Sequence, residues 1–134
     1  MNLTSTLEIQ LLIASVIMGL VHLLWATMAG SGGPRDTKWL LGPRDDARPV
    51  TGQAARLSRA YANFLETFPL FAALVVAVVI AGKTGTQSHF ACWLYLIGRI
   101  AYIPFYAMGL PIVRTLAWTA SMVGIVWLIV AFFQ

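Results

Sequence analysis

Four apolar runs, Leu7–Ala29, Ala60–Gly82, Phe90–Met108 and Leu110–Phe133, take up most of the chain's 134 residues. Each is close to the roughly 20 residues that cross a bilayer as a helix. In hydrocarbon the backbone must satisfy its own hydrogen bonds, so a helix is the form such a run adopts. Only 10% of the residues are charged, against about 25% in soluble domains, and a water-soluble globule built from them would lack the polar surface to cover itself. The first run exceeds the apolar core of a signal peptide, has no basic flank before it and is followed by no clear cleavage site, so it reads as a retained membrane helix.

The second helix is expected to begin before its apolar part, because Gln53 to Ala60 contains strong helix formers and no breaker follows Gly52. The expected fold is therefore an all-α integral membrane four-helix bundle. It forms one domain over 1–134, with helices at about 7–29, 53–82, 89–108 and 110–133. The connection Gly30–Thr51, carrying Gly30, Gly32, Gly33, Pro34, Gly42, Pro43 and Pro49, reads as a polar loop. Lys83–His89 is short, and Gly109 to Pro111 is shorter still, making the last two helices antiparallel neighbours.

The net charge of +4 would suggest nucleic acid on a soluble protein, but a basic surface needs a soluble face to present it. Here the basic residues mark topology instead. Arg35, Lys38, Arg44, Arg48, Arg56, Arg59 and Arg114 fall at one end of the spans and Lys83 at the other. The positive-inside rule then puts the long loop in the cytoplasm and both termini outside it.

The polar residues inside the spans are arranged in stripes. Arg56, Arg59, Asn63 and Glu66 are spaced by 3, 4 and 3, and Arg99, Tyr102 and Tyr106 by 3 and 4, so each set shares a helix face. With a rise of about 1.5 Å per residue the two stripes reach similar depths. A lone charge there costs about 2.5–3.5 kcal/mol, which calls for partners. Pairing of Glu66 with Arg99, within a chain or across a subunit boundary, is the expected solution. One such pair would pin helix register; seven polar groups exceed that need and suit a cationic site for an anionic ligand.

Other residues invite plainer readings. His22 is expected to hydrogen-bond a facing helix, since no ligand set for a metal accompanies it. His89 reads as a loop residue without a role, Asp45 and Asp46 as solvated, and the tryptophans as interfacial anchors. Cys92, the single cysteine, reads as a small buried residue with no disulfide partner in the chain.

The two stripes match a known pattern. Arg56-Leu-Ser-Arg59-Ala60-Tyr-Ala-Asn63-Phe-Leu-Glu66-Thr-Phe-Pro69 resembles the second-helix signature of the membrane-associated proteins in eicosanoid and glutathione metabolism, the MAPEG family. Gly98-Arg99-Ile-Ala-Tyr102-Ile-Pro-Phe-Tyr106-Ala-Met-Gly109-Leu-Pro111-Ile-Val-Arg114 resembles the third-helix signature and the turn after it. The chain departs from several members at Tyr61 and Tyr102, where they have histidine, and at Ala62, where some have arginine. Its tyrosine-rich third helix is similar to that of bacterial members, which implies the bacterial inner membrane.

The resemblance implies a homotrimer with glutathione as co-substrate, bound between neighbouring subunits toward the cytoplasmic side. It assigns Arg56, Arg59, Asn63, Glu66, Arg99, Tyr102 and Tyr106 to holding or bordering glutathione, and Arg114 to stabilising its thiolate, with Thr115 and Trp118 nearby. No metal is implied. The implied function is a glutathione transferase or peroxidase acting on lipophilic electrophiles that arrive through the bilayer. Two rivals are a non-catalytic lipid-binding or scaffold member of the family and a small four-helix transporter coupled through Glu66.

Overall fold

A computed structural model describes residues 6–30, 37–46 and 49–134. Of the loop residues named above, Gly32, Gly33, Pro34, Arg35 and Arg48 lie outside the described residues. The elements in order are α1 (Leu7–Gly30), α2 (Thr37–Leu41), α3 (Gly52–Ile80), α4 (Thr86–Ala107) and α5 (Pro111–Phe133). There is no strand among the described residues. Four of these helices, all but α2, are long and apolar enough to cross a membrane.

The best guide to the solvent this fold is built for is α1. Its buried residues are Glu8, Leu11, Ser15, Gly19 and His22, a single stripe of mostly polar or small residues. Its large apolar residues, among them Ile13, Ile17, Leu20, Val21 and Leu24, point outward. A soluble helix hides the opposite set. In lipid the leucines lose nothing by facing out, and the polar groups find partners only inside.

Those partners are present. Ser15 returns its hydroxyl to the Leu11 carbonyl at 2.9 Å. His22 Nε2 donates across the bundle to the Leu57 carbonyl of α3 at 3.2 Å, which is the facing-helix bond expected of it. Glu8, fully buried in the first turn of α1, accepts from Ser88 Oγ at 2.5 Å and lies 3.3 Å from His89 Nε2. The expected 89–108 helix therefore begins earlier. The Ser88 hydroxyl also accepts from the Gly85 amide at 2.8 Å, closing the first turn of α4 and drawing His89 out of the predicted loop and into the helix.

The closest helix pair is α4 and α5. A Cβ on Gly98 would stand 2.8 Å from the Ala117 carbonyl oxygen, and one on Gly124 would stand 2.8 Å from the Ala91 carbonyl oxygen. The two backbones touch at two levels because neither glycine has a side chain, the small-residue packing that lets helices associate in lipid. The turn between them passes through Gly109 at a φ of 72°, and Arg56 of α3 braces it by donating Nε to the Ala107 carbonyl at 2.8 Å.

The long loop contains α2, five residues that no periodicity announced. It is folded on itself: Trp39 donates Nε1 to the Asp46 carbonyl at 2.9 Å, and Arg44 donates to the Leu40 carbonyl at 3.0 and 3.2 Å.

Two outcomes follow for thermal unfolding in detergent. Gly98→Val should destabilise by about 1–3 kcal/mol through overpacking against backbone, while Gly85→Ala, whose Cβ meets nothing within 4 Å, should leave the midpoint unchanged. Ser88→Ala, which strips a buried carboxylate of its hydroxyl donor, should cost about 1.5–3 kcal/mol.

Candidate functional site

Three helices converge on an open pocket of about 280 Å³ near the end of the bundle that carries the long loop. Asn63 comes from α3, Tyr102 and Tyr106 from α4, and Arg114, Thr115 and Trp118 from α5. The spacing of Tyr102 and Tyr106 puts both on one face of α4, and the Gly98 contact brings α5 close enough to lay Arg114 across that face. The Arg114 guanidinium carbon lies 4.5 Å from the centre of the Tyr106 ring. Tyr106 in turn meets Tyr102 edge to face at 5.4 Å, and Tyr102 lies 5.3 Å from the guanidinium of Arg99. The site is a ladder of cation, ring, ring and cation, with each positive charge against the electron-rich face of a tyrosine.

Arg99 forms the back of this ladder and is only 1% exposed. Its Nη1 donates to Asn63 Oδ1 at 2.9 Å, its Nη2 donates to Thr67 Oγ1, and its Nε has no hydrogen-bond partner. Arginine donates only, so the oxygen of the Asn63 amide must be the atom facing it. The NH₂ group of Asn63 is thereby left for the pocket. Both partners of Arg99 are neutral, and no ion pair to it occurs among the described residues. The pocket thus presents amide and hydroxyl groups and one guanidinium, backed by a second guanidinium whose charge nothing has neutralised. Such a set of donors is complementary to an anion.

The expected Glu66–Arg99 pair is not formed within the chain. Within the chain Glu66 is exposed, one residue and therefore about 100° around the helix from Thr67, the residue that Arg99 engages. Arg99 is enclosed within the chain. Of the residues singled out from the sequence, Asn63, Tyr102, Tyr106 and Arg114 line one pocket with Arg99 directly behind them. Arg56 is half-buried and is engaged by the Ala107 carbonyl. Arg59 and Glu66 are exposed on α3 and do not line this pocket within one chain.

Two participants were overlooked. Thr67 follows Asn63 by four residues and Tyr95 precedes Arg99 by four, so each extends one of the stripes already recognised. Tyr95 stacks on Phe71 at 3.8 Å, fixing the wall against which Arg99 lies at 5.8 Å from its ring.

A family model described as the MAPEG family matches residues 9–134, nearly the whole chain. The chain belongs to that family. No curated protein matches it.

Thr67→Val, which removes the hydroxyl that accepts from Arg99, should lower the unfolding midpoint by the equivalent of about 1.5–3 kcal/mol. Arg99→Met removes the charge together with its need for partners, so stability should be retained or raised. A large loss of stability in Arg99→Met would show that the guanidinium is there to hold the fold and not to meet a ligand.

Proposed function

We propose that this member of the MAPEG family is a multi-pass membrane enzyme that binds glutathione and uses its thiol on lipophilic electrophiles, as a transferase or a peroxidase. The observation that carries the reading is the buried, un-neutralised Arg99 behind a pocket that also holds Arg114. A tripeptide with two carboxylates supplies negative charge to the field of Arg99, whose Nη groups are held by Asn63 and Thr67, while the exposed Arg59 guanidinium takes a carboxylate through paired hydrogen bonds. The Asn63 NH₂ group adds a donor to the ligand. Arg114, freer than Arg99 and lying over the Tyr106 ring, is the cation placed to favour the thiolate, which is the reactive nucleophile.

In the conjugation step the thiol gives its proton to water and the thiolate sulfur attacks the electrophilic carbon. A carbon–sulfur bond forms as the leaving group departs with the electron pair. The substrate reaches the pocket from the lipid side, where Trp118 is partly exposed at its rim.

A homotrimer completes the site on this reading. About 280 Å³ lies just below the roughly 300–1,000 Å³ usual for a small-molecule site, so one chain holds only part of the tripeptide. Arg59 and Glu66, exposed charges on the same face of a membrane helix, need a cover that lipid does not provide. A second copy laid over them would enlarge the pocket and bring Glu66 to the ammonium group of the ligand. The chain would sit in a bacterial inner membrane with both termini outside the cytoplasm, Lys38, Arg44 and Arg56 facing in and Lys83 out.

Calorimetric titration of the detergent-solubilised protein should give saturable glutathione binding that is lost in an Arg59→Ala, Glu66→Ala double variant. Arg114→Ala should keep most of the binding while losing the ultraviolet absorbance of bound thiolate, with turnover of an activated aryl halide down about 10²–10³-fold, as for removal of one stabilising donor. Wild-type protein that is trimeric and binds no glutathione would turn the reading to the non-catalytic, lipid-binding member of the family.

A further inference from the structure

The end of the bundle opposite the cationic pocket encloses an acid whose charge is incompletely met. Glu8 of α1 is fully buried, yet a single oxygen takes both of its contacts. Oε1 accepts from Ser88 Oγ at 2.5 Å and lies 3.3 Å from Nε2 of His89, while Oε2 is closed off with no hydrogen-bond partner. Among the described residues no lysine or arginine pairs with this carboxylate. A buried carboxylate served on one side only is costly, so any positive charge brought against it stabilises the contact between α1 and α4.

His89 is the member of the cluster that meets the surroundings. Its side chain is 41% exposed, whereas Glu8 and Ser88 are wholly enclosed. An imidazole changes charge between about pH 5 and 8. Charged, it has a proton on both ring nitrogens, so Nε2 donates to Oε1 in a hydrogen bond between ions, roughly twice as strong as one between neutral groups. Neutral, it sets no charge against the acid. The neighbouring elements offer no substitute. Cys92, one turn beyond Ser88 on α4, feels the Glu8 charge but is buried and cannot be a cation; Tyr95 and Arg99 follow deeper on the same helix. Lys83, in the turn before α4, is exposed. Beyond Glu66 and Arg114, α3 and α5 carry no titratable side chain, and α1 has only His22, about 21 Å along the helix.

We propose that Glu8, Ser88 and His89 form a proton-operated clasp between the first turns of α1 and α4, fastened when His89 is charged and loosened when it is neutral. The Ser88 hydroxyl holds the carboxylate in both states, so the imidazole charge is what changes. The sign follows from the geometry. The imidazolium meets the carboxylate only in the folded protein, so the proton acts as a ligand of the native state, and stability falls as pH rises through the imidazole range. The clasp does not rest on glutathione binding and stands if that reading fails.

The test is thermal unfolding of the full-length protein in an uncharged detergent at several pH values. The wild-type midpoint should be higher at about pH 5.5 than at about pH 8.5 by roughly 3–5 °C, the shift that strengthening one hydrogen bond gives a chain of this size. His89→Gln keeps an N–H donor at a partly exposed position and cannot titrate, so the difference should vanish. Glu8→Gln removes the charge that the imidazolium meets, and the difference should vanish there too. His22→Gln, at the other histidine, should retain it. A wild-type midpoint that does not fall across this range, a difference that survives in His89→Gln or Glu8→Gln, or one lost in His22→Gln would each overturn the proposal.

Discussion

A helix in hydrocarbon gains nothing by hiding its leucines, and everything else in this fold depends on that. With no solvent penalty on large apolar groups, the interior is free for whatever needs a neighbour: small residues that let backbones touch, and polar groups that need a partner. The inward stripe of α1 is the plainest case. The glycine contacts between α4 and α5 are the same rule applied to shape, and the enclosure of Arg99 by Asn63, Thr67 and two tyrosine rings is the rule applied to charge. In water that guanidinium would lie on the surface. Here it is drawn inside, and what it does there depends on how far its partners satisfy it.

The rule also explains why the two faces of α4 differ so sharply. One presents Tyr102 and Tyr106 to a pair of cations, the other lays Ile100, Ile103 and Pro104 along an apolar groove shared with α1. A helix whose polar and apolar sides were fixed by water would have one working surface and one solvated surface. This one separates two chemically opposite environments, one lined by cations and tyrosines and one almost wholly apolar, across the width of a single helix.

Much of this was legible in the sequence because it is local. Span lengths, the positions of breakers and the 3-and-4 spacing of polar residues are properties of one helix at a time, and they placed Asn63, Tyr102 and Tyr106 on the faces that line one pocket. What the spacing does not fix is the rotation of one helix against another. The choice between Glu66 and its neighbour Thr67 as the partner of Arg99 is a matter of about 100°. Charge complementarity argued for the acid, but packing selected the hydroxyl. Glu8 was passed over for a related reason: an acid in a first turn is a common helix start, and its partners lie on a helix that is distant in sequence. The five residues of α2 are too few to show any period at all.

The bond between Glu8 and Ser88 spans 80 residues of chain, and that distance bears on how the protein is made. During synthesis α1 reaches the bilayer long before α4 exists, so its carboxylate must wait without the hydroxyl and the imidazole that later enclose it. Its place in the first turn is what makes the wait tolerable, because the cost of a charge falls from the middle of a spanning helix toward its ends. Had the same acid been one or two turns further in, α1 would have carried an unpartnered charge into hydrocarbon from the moment of insertion. The fold keeps its early-arriving acid at the rim and leaves its deep guanidinium to α4, which is inserted after α3 has already brought Asn63 and Thr67 into the membrane.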